Sequence, residues 1–113
     1  MQPEIAKYLW DIDEAGRAIL ELAQRSSLEE FRVTRWLRSS VEREFIIIGE
    51  ALRNIIAVDR TFATRISDSR VIIDFRNVVV HGYSAVNPDF VWGFIDTDLP
   101  RLLQEVQQSL KES

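Results

Sequence analysis

Residues 41–55 read VEREFIIIGEALRNI, and the spacing of their apolar side chains decides the fold. Val41, Phe45, Ile48, Leu52 and Ile55 step by 4, 3, 4 and 3, the repeat of one face of an α-helix. Ile46, Ile47 and Ile56 widen that face, so a central helix is expected over about residues 34–57. Towards the N-terminus, Ser27 followed by Glu30 has the pattern of a capping box and opens a short helical turn over residues 28–33. Ser26 and Ser27 separate that turn from a longer stripe. Ile5, Leu9, Ile12, Ala15, Ile19 and Leu22 predict an amphipathic helix over about residues 3–25.

Towards the C-terminus, residues 59–69 are polar and read as a connection with one helical turn. Val71, Ile72, Phe75 and Val79 predict a third helix over about residues 68–80. The β-branched run Val78, Val79, Val80 would also suit a strand, but nothing nearby alternates or offers a pairing partner. Gly82 is expected to cap that helix. Asn87 and Pro88 then mark a helix start, and Phe90, Phe94, Leu99, Leu102, Val106 and Leu110 carry the last helix. Pro100 must kink or divide it. The expected fold is all-α: an up-and-down bundle of four main helices plus short extra turns, one domain over residues 1–113.

Composition bounds the chemistry. Hydrophobic residues make up 46% and charged residues 28%, as in a soluble globular protein, not a disordered tail. The absence of cysteine excludes disulfides, thiolate zinc sites and thiol catalysis. A single histidine excludes a multi-histidine metal site within one subunit, so neither metal nor cofactor is expected. The acidic N-terminal stretch is unlike a signal peptide, and the longest apolar run, residues 45–48, is far too short to span a membrane. A cytoplasmic location is expected.

The formal charge is −4, which argues against a non-specific nucleic-acid coat. The charge is unevenly spread. Residues 31–65 hold seven basic and four acidic side chains, a local +3 that leaves room for an anion site. Nearly all the basic residues are arginines, which grip carboxylate or phosphate with two N–H donors. Arg32, Arg35 and Arg38, with Trp36 among them, read either as a solvated face laced with acids or as an RNA or partner surface. Trp10, Trp36 and Trp92 are expected as core or interface anchors.

The stretch richest in chemical groups is residues 74–83, DFRNVVVHGY. It gathers Arg76, Asn77, His81 and Tyr83 around one helix C-terminus. On an ideal helix Asn77 and His81 are neighbours, whereas Arg76 and His81 stand about 140° apart. The last two can meet only in a cleft that wraps the helix end or through a second copy of the segment. Taken singly, each has a bland reading: His81 a terminal histidine meeting the helix dipole, Arg76 an ion pair with Asp74 or an acid on another helix, Tyr83 a turn aromatic. Glu50, beside Gly49 in the central helix, is either its polar flank or a group that points at Arg76 or His81, with Gly49 permitting close helix approach.

The segment RNVVVHGY at residues 76–83 matches the R-x4-H-x-Y signature of the HEPN superfamily, specifically its HepT-like toxin branch. Further blocks resemble that branch in order along the chain: YLWDI from Tyr8, SLEEF from Ser27, VER from Val41, IGEA from Ile48, PDFVW from Pro88 and DLP from Asp98. One departure is visible. Where relatives often carry an aromatic I-P-W-type block ahead of the arginine, residues 66–73 read ISDSRVII. The resemblance implies a homodimer in which the Arg/His segments of two subunits form a composite cleft. It implies a metal-independent endoribonuclease acting on RNA, paired with a minimal nucleotidyltransferase of the MNT type as antitoxin. That partner would silence the toxin by transferring AMP onto Tyr83. Arg76 and His81 would be catalytic. Beside that, the residues themselves place Asn77 to hold the His81 ring through an i,i+4 hydrogen bond or to touch the ribose, and Glu50 to orient either side chain. The alternative left open is a non-catalytic subunit that presents substrate to the nucleotidyltransferase, with Arg76 and His81 as an anion-binding pair.

Overall fold

The computed structural model describes residues 1–81 and 86–112, and among these there is no strand. Helix α1 spans Pro3–Gln24, α2 Leu28–Val33, α3 Arg35–Val58, α4 Ser69–His81, α5 Pro88–Thr97 and α6 Leu99–Lys111. A 3-10 helix, Arg60–Arg65, fills most of the connection between α3 and α4. The all-α fold is as the periodicity predicts, with each long helix within a residue or so of its expected ends.

Local chemistry sets those ends. Ser27 Oγ accepts from the Glu30 N–H at 3.1 Å while the Ser27 N–H donates to Glu30 Oε1 at 3.1 Å, so the capping box at α2 is closed on both sides. The Asp59 side chain accepts from the Thr61 N–H at 3.1 Å and starts the 3-10 turn. Asn87 Oδ1 accepts from the Asp89 N–H at 2.9 Å, with Pro88 in the first turn, and starts α5. Pro100 divides the last helix rather than kinking it. The break falls at Asp98, which leaves Pro100 in the first turn of α6, where a missing N–H costs nothing. Val78, Val79 and Val80 lie within α4.

The core forms where α1 and α3 pack along their apolar stripes, with Leu9, Ile12, Ile48 and Leu52 all buried. Helix α6 closes against α1, and α5 and α2 cover one end. Phe31 on α2 is buried there, with its ring 5.4 Å from that of Trp92 on α5. Of the two expectations for Trp10 and Trp36, core or interface, the core one does not hold. The two side chains are 54% and 68% exposed, so neither anchors the core of this chain. Their positions fall outside the stripes that α1 and α3 turn inward.

Helix α4 packs almost entirely on α3, and Ile72 is its one buried residue. The helix that carries Arg76 and His81 therefore sits on the flank of the bundle.

Candidate functional site

The site begins at Gly49. A Cβ there would lie 2.6 Å from Arg76 Cβ and 3.3 Å from the Ile72 carbonyl oxygen, so only glycine lets α4 come this close to α3. The close approach encloses the Arg76 side chain, which is 16% exposed. Its guanidinium lies 3.5 Å from Glu50 Oε1 through Nη2, and its Nη1 donates to Asn77 Oδ1 at 3.0 Å. Nε is buried and has no hydrogen-bond partner among the described residues. An arginine carries five N–H donors, so this guanidinium keeps unspent capacity for an anion. At 3.5 Å the pair with Glu50 is an ion pair looser than a direct hydrogen bond.

The structure thus brings three of the expected residues together. Glu50 is exposed on the polar flank of α3 and lies against Arg76. Arg76 pairs with this acid across the helix interface, not with Asp74, which meets Arg70 at 3.5 Å instead. Asn77 Oδ1 is engaged by its neighbour Arg76. His81 is the last residue of α4 and is exposed. Five residues past Arg76 it stands about 140° further around the helix, away from the α3 side. Gly82 and Tyr83 lie outside the described residues.

Glu50, Arg53, Asn54 and Ala57 of α3 line a groove together with Arg76 of α4. Arg53 and Asn54 did not figure among the sequence candidates. The signal was present, since they follow Glu50 at i+3 and i+4 and so share its helix face. The arginine cluster at residues 32–38 divides. Arg32 grips Asp89 with two hydrogen bonds of 2.8 and 2.9 Å, and Arg38 Nη1 donates to the carbonyls of Phe31 and Arg32 at 3.2 and 2.6 Å. Both tie α2 to its neighbours, whereas Arg35 and Trp36 stay exposed. A second cleft, wholly apolar, opens where α4 meets α5, lined by Val71, Phe75, Phe90 and Phe94 over the Phe45 ring. Among the described residues, no group of three or more His, Asp or Glu side chains is placed to hold a metal ion. No helix among them is long and apolar enough to cross a membrane.

The sequence profile of the ribonuclease HepT-like family, within the HEPN superfamily, matches residues 12–109. The chain belongs to that family. The match runs from α1 to α6 and contains both Arg76 and His81. Among similar proteins is one from Methanocaldococcus jannaschii named "Putative RNase", 26% identical over 92% of this chain and 94% of its own length. Another, from Thermococcus cleftensis, is named "Probable ribonuclease HepT" and is 30% identical over 84% of this chain and 86% of its own length. A third relative, also from M. jannaschii, "Gamma-glutamylcyclotransferase and putative RNase", is 25% identical over 99% of this chain, which spans half of that longer protein. No solved structure matches the chain. At the level of the family, this HepT-like chain is a nuclease-type protein.

Proposed function

We propose that the chain is the toxin of a toxin–antitoxin pair and acts, as a homodimer, as a metal-independent endoribonuclease. The observation that carries this reading is the enclosed guanidinium of Arg76, held by Glu50 and Asn77 with donors to spare, on the same short helix whose exposed end bears the chain's single histidine.

RNA cleavage without metal needs a base for the 2′-OH, an acid for the 5′-oxygen and a cation on the phosphorane. One imidazole takes the 2′-OH proton as that oxygen bonds to phosphorus. A protonated imidazole gives its proton to the 5′-oxygen as the P–O5′ bond breaks. The products are a 2′,3′-cyclic phosphate and a 5′-hydroxyl. Histidine is suited to both roles near neutrality, and one subunit supplies one His81, so the pair takes both subunits. Arg76 neutralises the phosphorane oxygens, and Glu50 and Asn77 hold it in place.

An MNT-type nucleotidyltransferase acts as the antitoxin by transferring AMP from ATP onto Tyr83: the phenol oxygen gives up its proton and bonds to the α-phosphorus as the bond to the β-phosphate breaks and pyrophosphate leaves. The added group brings bulk and negative charge two residues from His81, where the substrate phosphate must lie. A Tyr83→Phe protein that its partner still silenced by adenylylation would refute the assignment of Tyr83.

The test of the nuclease is purified protein with RNA and a chelator. Wild type is expected to yield fragments ending in cyclic phosphate, and Arg76→Ala or His81→Ala to lose about 10²–10⁴-fold in rate, the usual weight of acid–base and electrostatic groups. RNA left intact by the wild-type dimer, or cut equally by both variants, would overturn the reading.

A further inference from the structure

The groove that holds the pair of Arg76 and Glu50 continues along α3. Glu50, Arg53, Asn54 and Ala57 follow at i, i+3, i+4 and i+7, so one face of α3 runs beside Arg76 as a strip. Arg53 and Asn54 are exposed, and neither side chain makes a hydrogen bond or ion pair among the described residues. Of the other arginines of the basic middle segment, Arg32 is committed to Asp89, Arg38 to backbone carbonyls and Arg65 to Glu112, while Arg35, Arg43 and Arg60 lie outside this groove. In the groove itself two arginines face one glutamate, and that glutamate lies against Arg76. Arg53 is the uncompensated positive charge of the strip, and Ala57 leaves its far end open. A channel with one caged arginine at its head and one uncommitted arginine further along fits a chain of phosphates, not a single anion.

We propose that Arg53, with Asn54 beside it, forms a subsite for the phosphodiester adjacent to the one being cut, so that single-stranded RNA lies along α3. The proposal takes its substrate from the nuclease reading above. Arg53 is three residues, about 4.5 Å of helix rise, from Glu50, within a side chain's reach of the neighbouring phosphate. Its guanidinium takes two phosphate oxygens in a fork, and the Asn54 amide offers a donor and an acceptor to the adjoining ribose or base. A local cation also explains how a chain of net charge −4 engages RNA at one place.

The test uses the full-length His81→Ala protein, so that RNA is bound but not cut. Fluorescence anisotropy compares a single-stranded dodecamer with a dinucleoside monophosphate, which has no second phosphate. Arg53→Gln is expected to lower the ratio of dodecamer to dinucleoside affinity by about fivefold, and to flatten the salt dependence of dodecamer binding by about 0.7 of a logarithmic slope unit, one phosphate contact. Arg53→Lys, which keeps the charge, restores most of the ratio. An unaltered ratio in Arg53→Gln, or a salt slope equal to the parent's, overturns the subsite. Failure of the nuclease reading looks different: wild-type protein would not cleave RNA, whatever the binding ratio shows.

Discussion

At position 49 the absence of a side chain decides how near α4 can come to α3. The atoms a Cβ would strike belong to the Arg76 stem and the Ile72 backbone, not to a flexible tip that can swing aside. Gly49→Ala would gain about 1 kcal/mol of helix propensity and lose about 1–3 kcal/mol to overpacking. The expected outcome in urea unfolding is a net loss of stability, together with a drop in RNA cleavage as Arg76 is displaced. A stabilised variant would mean that the two helices do not meet there. One residue on, Glu50 lies against Arg76 and also places a negative charge in the groove that, under the proposed function, takes phosphate. Replacing it separates those effects. Glu50→Gln is expected to bind RNA more tightly, about twofold to fivefold, because a repulsive charge is gone. It should also turn over about tenfold more slowly, because the guanidinium is less firmly placed. Single-turnover rates and anisotropy read the two separately. A parallel loss of both would mark Glu50 as merely structural.

Helix α2 has only six residues, too few to persist alone, and it is held by contacts with α5. The Phe31 ring meets Trp92, and Arg32 grips Asp89. The hydrogen bond from Arg32 holds the Asp89 carboxyl below its ordinary pKa, so folding favours the ionised form. A carboxylate depressed on folding contributes stability that is present above its unfolded pKa and lost as pH falls through its folded pKa. Thermal melts of wild type and Asp89→Asn should therefore differ near neutral pH, with the variant less stable, and converge once Asp89 is protonated in acid. A difference that persists unchanged in acid would assign the effect to something other than this ion pair. Much at this scale was legible in the sequence. Ser27 with Glu30, Asn87 with Pro88, and the stripes of α1 and α3 are local signals, and local signals fix helix ends and faces. The division at Asp98 followed from Pro100, although proline alone does not say whether a helix bends or stops. Contacts between helices were less legible. Gly49 hinted at close approach and Glu50 at Arg76, but the partnership of Arg32 with Asp89 spans 57 residues and has no signature in either segment. For Trp10 and Trp36 aromatic bulk left core and interface open, and the helix face, not the residue type, decides which way a side chain points.

Across the whole molecule, the flank that carries α4 is apolar as well as cationic. Val71, Val78, Val80 and Phe90 are all exposed there, as Met1, Trp10, Val33 and Trp36 are on other elements. Exposed apolar side chains around a helix on the flank suit contact with another protein surface. Under the proposed function that surface is a second α4, which places two copies of His81 at one cleft and gives each a different task. This division of labour has a consequence for mixed dimers. Co-refolding wild type with rising amounts of His81→Ala protein produces dimers with two, one or no imidazoles. If a phosphodiester needs one imidazole as base and another as acid, only the fully wild-type dimer cuts, and cleavage follows the square of the wild-type fraction. If each subunit held a complete site, cleavage would fall in direct proportion to that fraction. The two curves separate most at equal mixing, where the first leaves about a quarter of the activity and the second about half. A proportional decline would remove the shared cleft, and with it the need for two subunits to meet at α4.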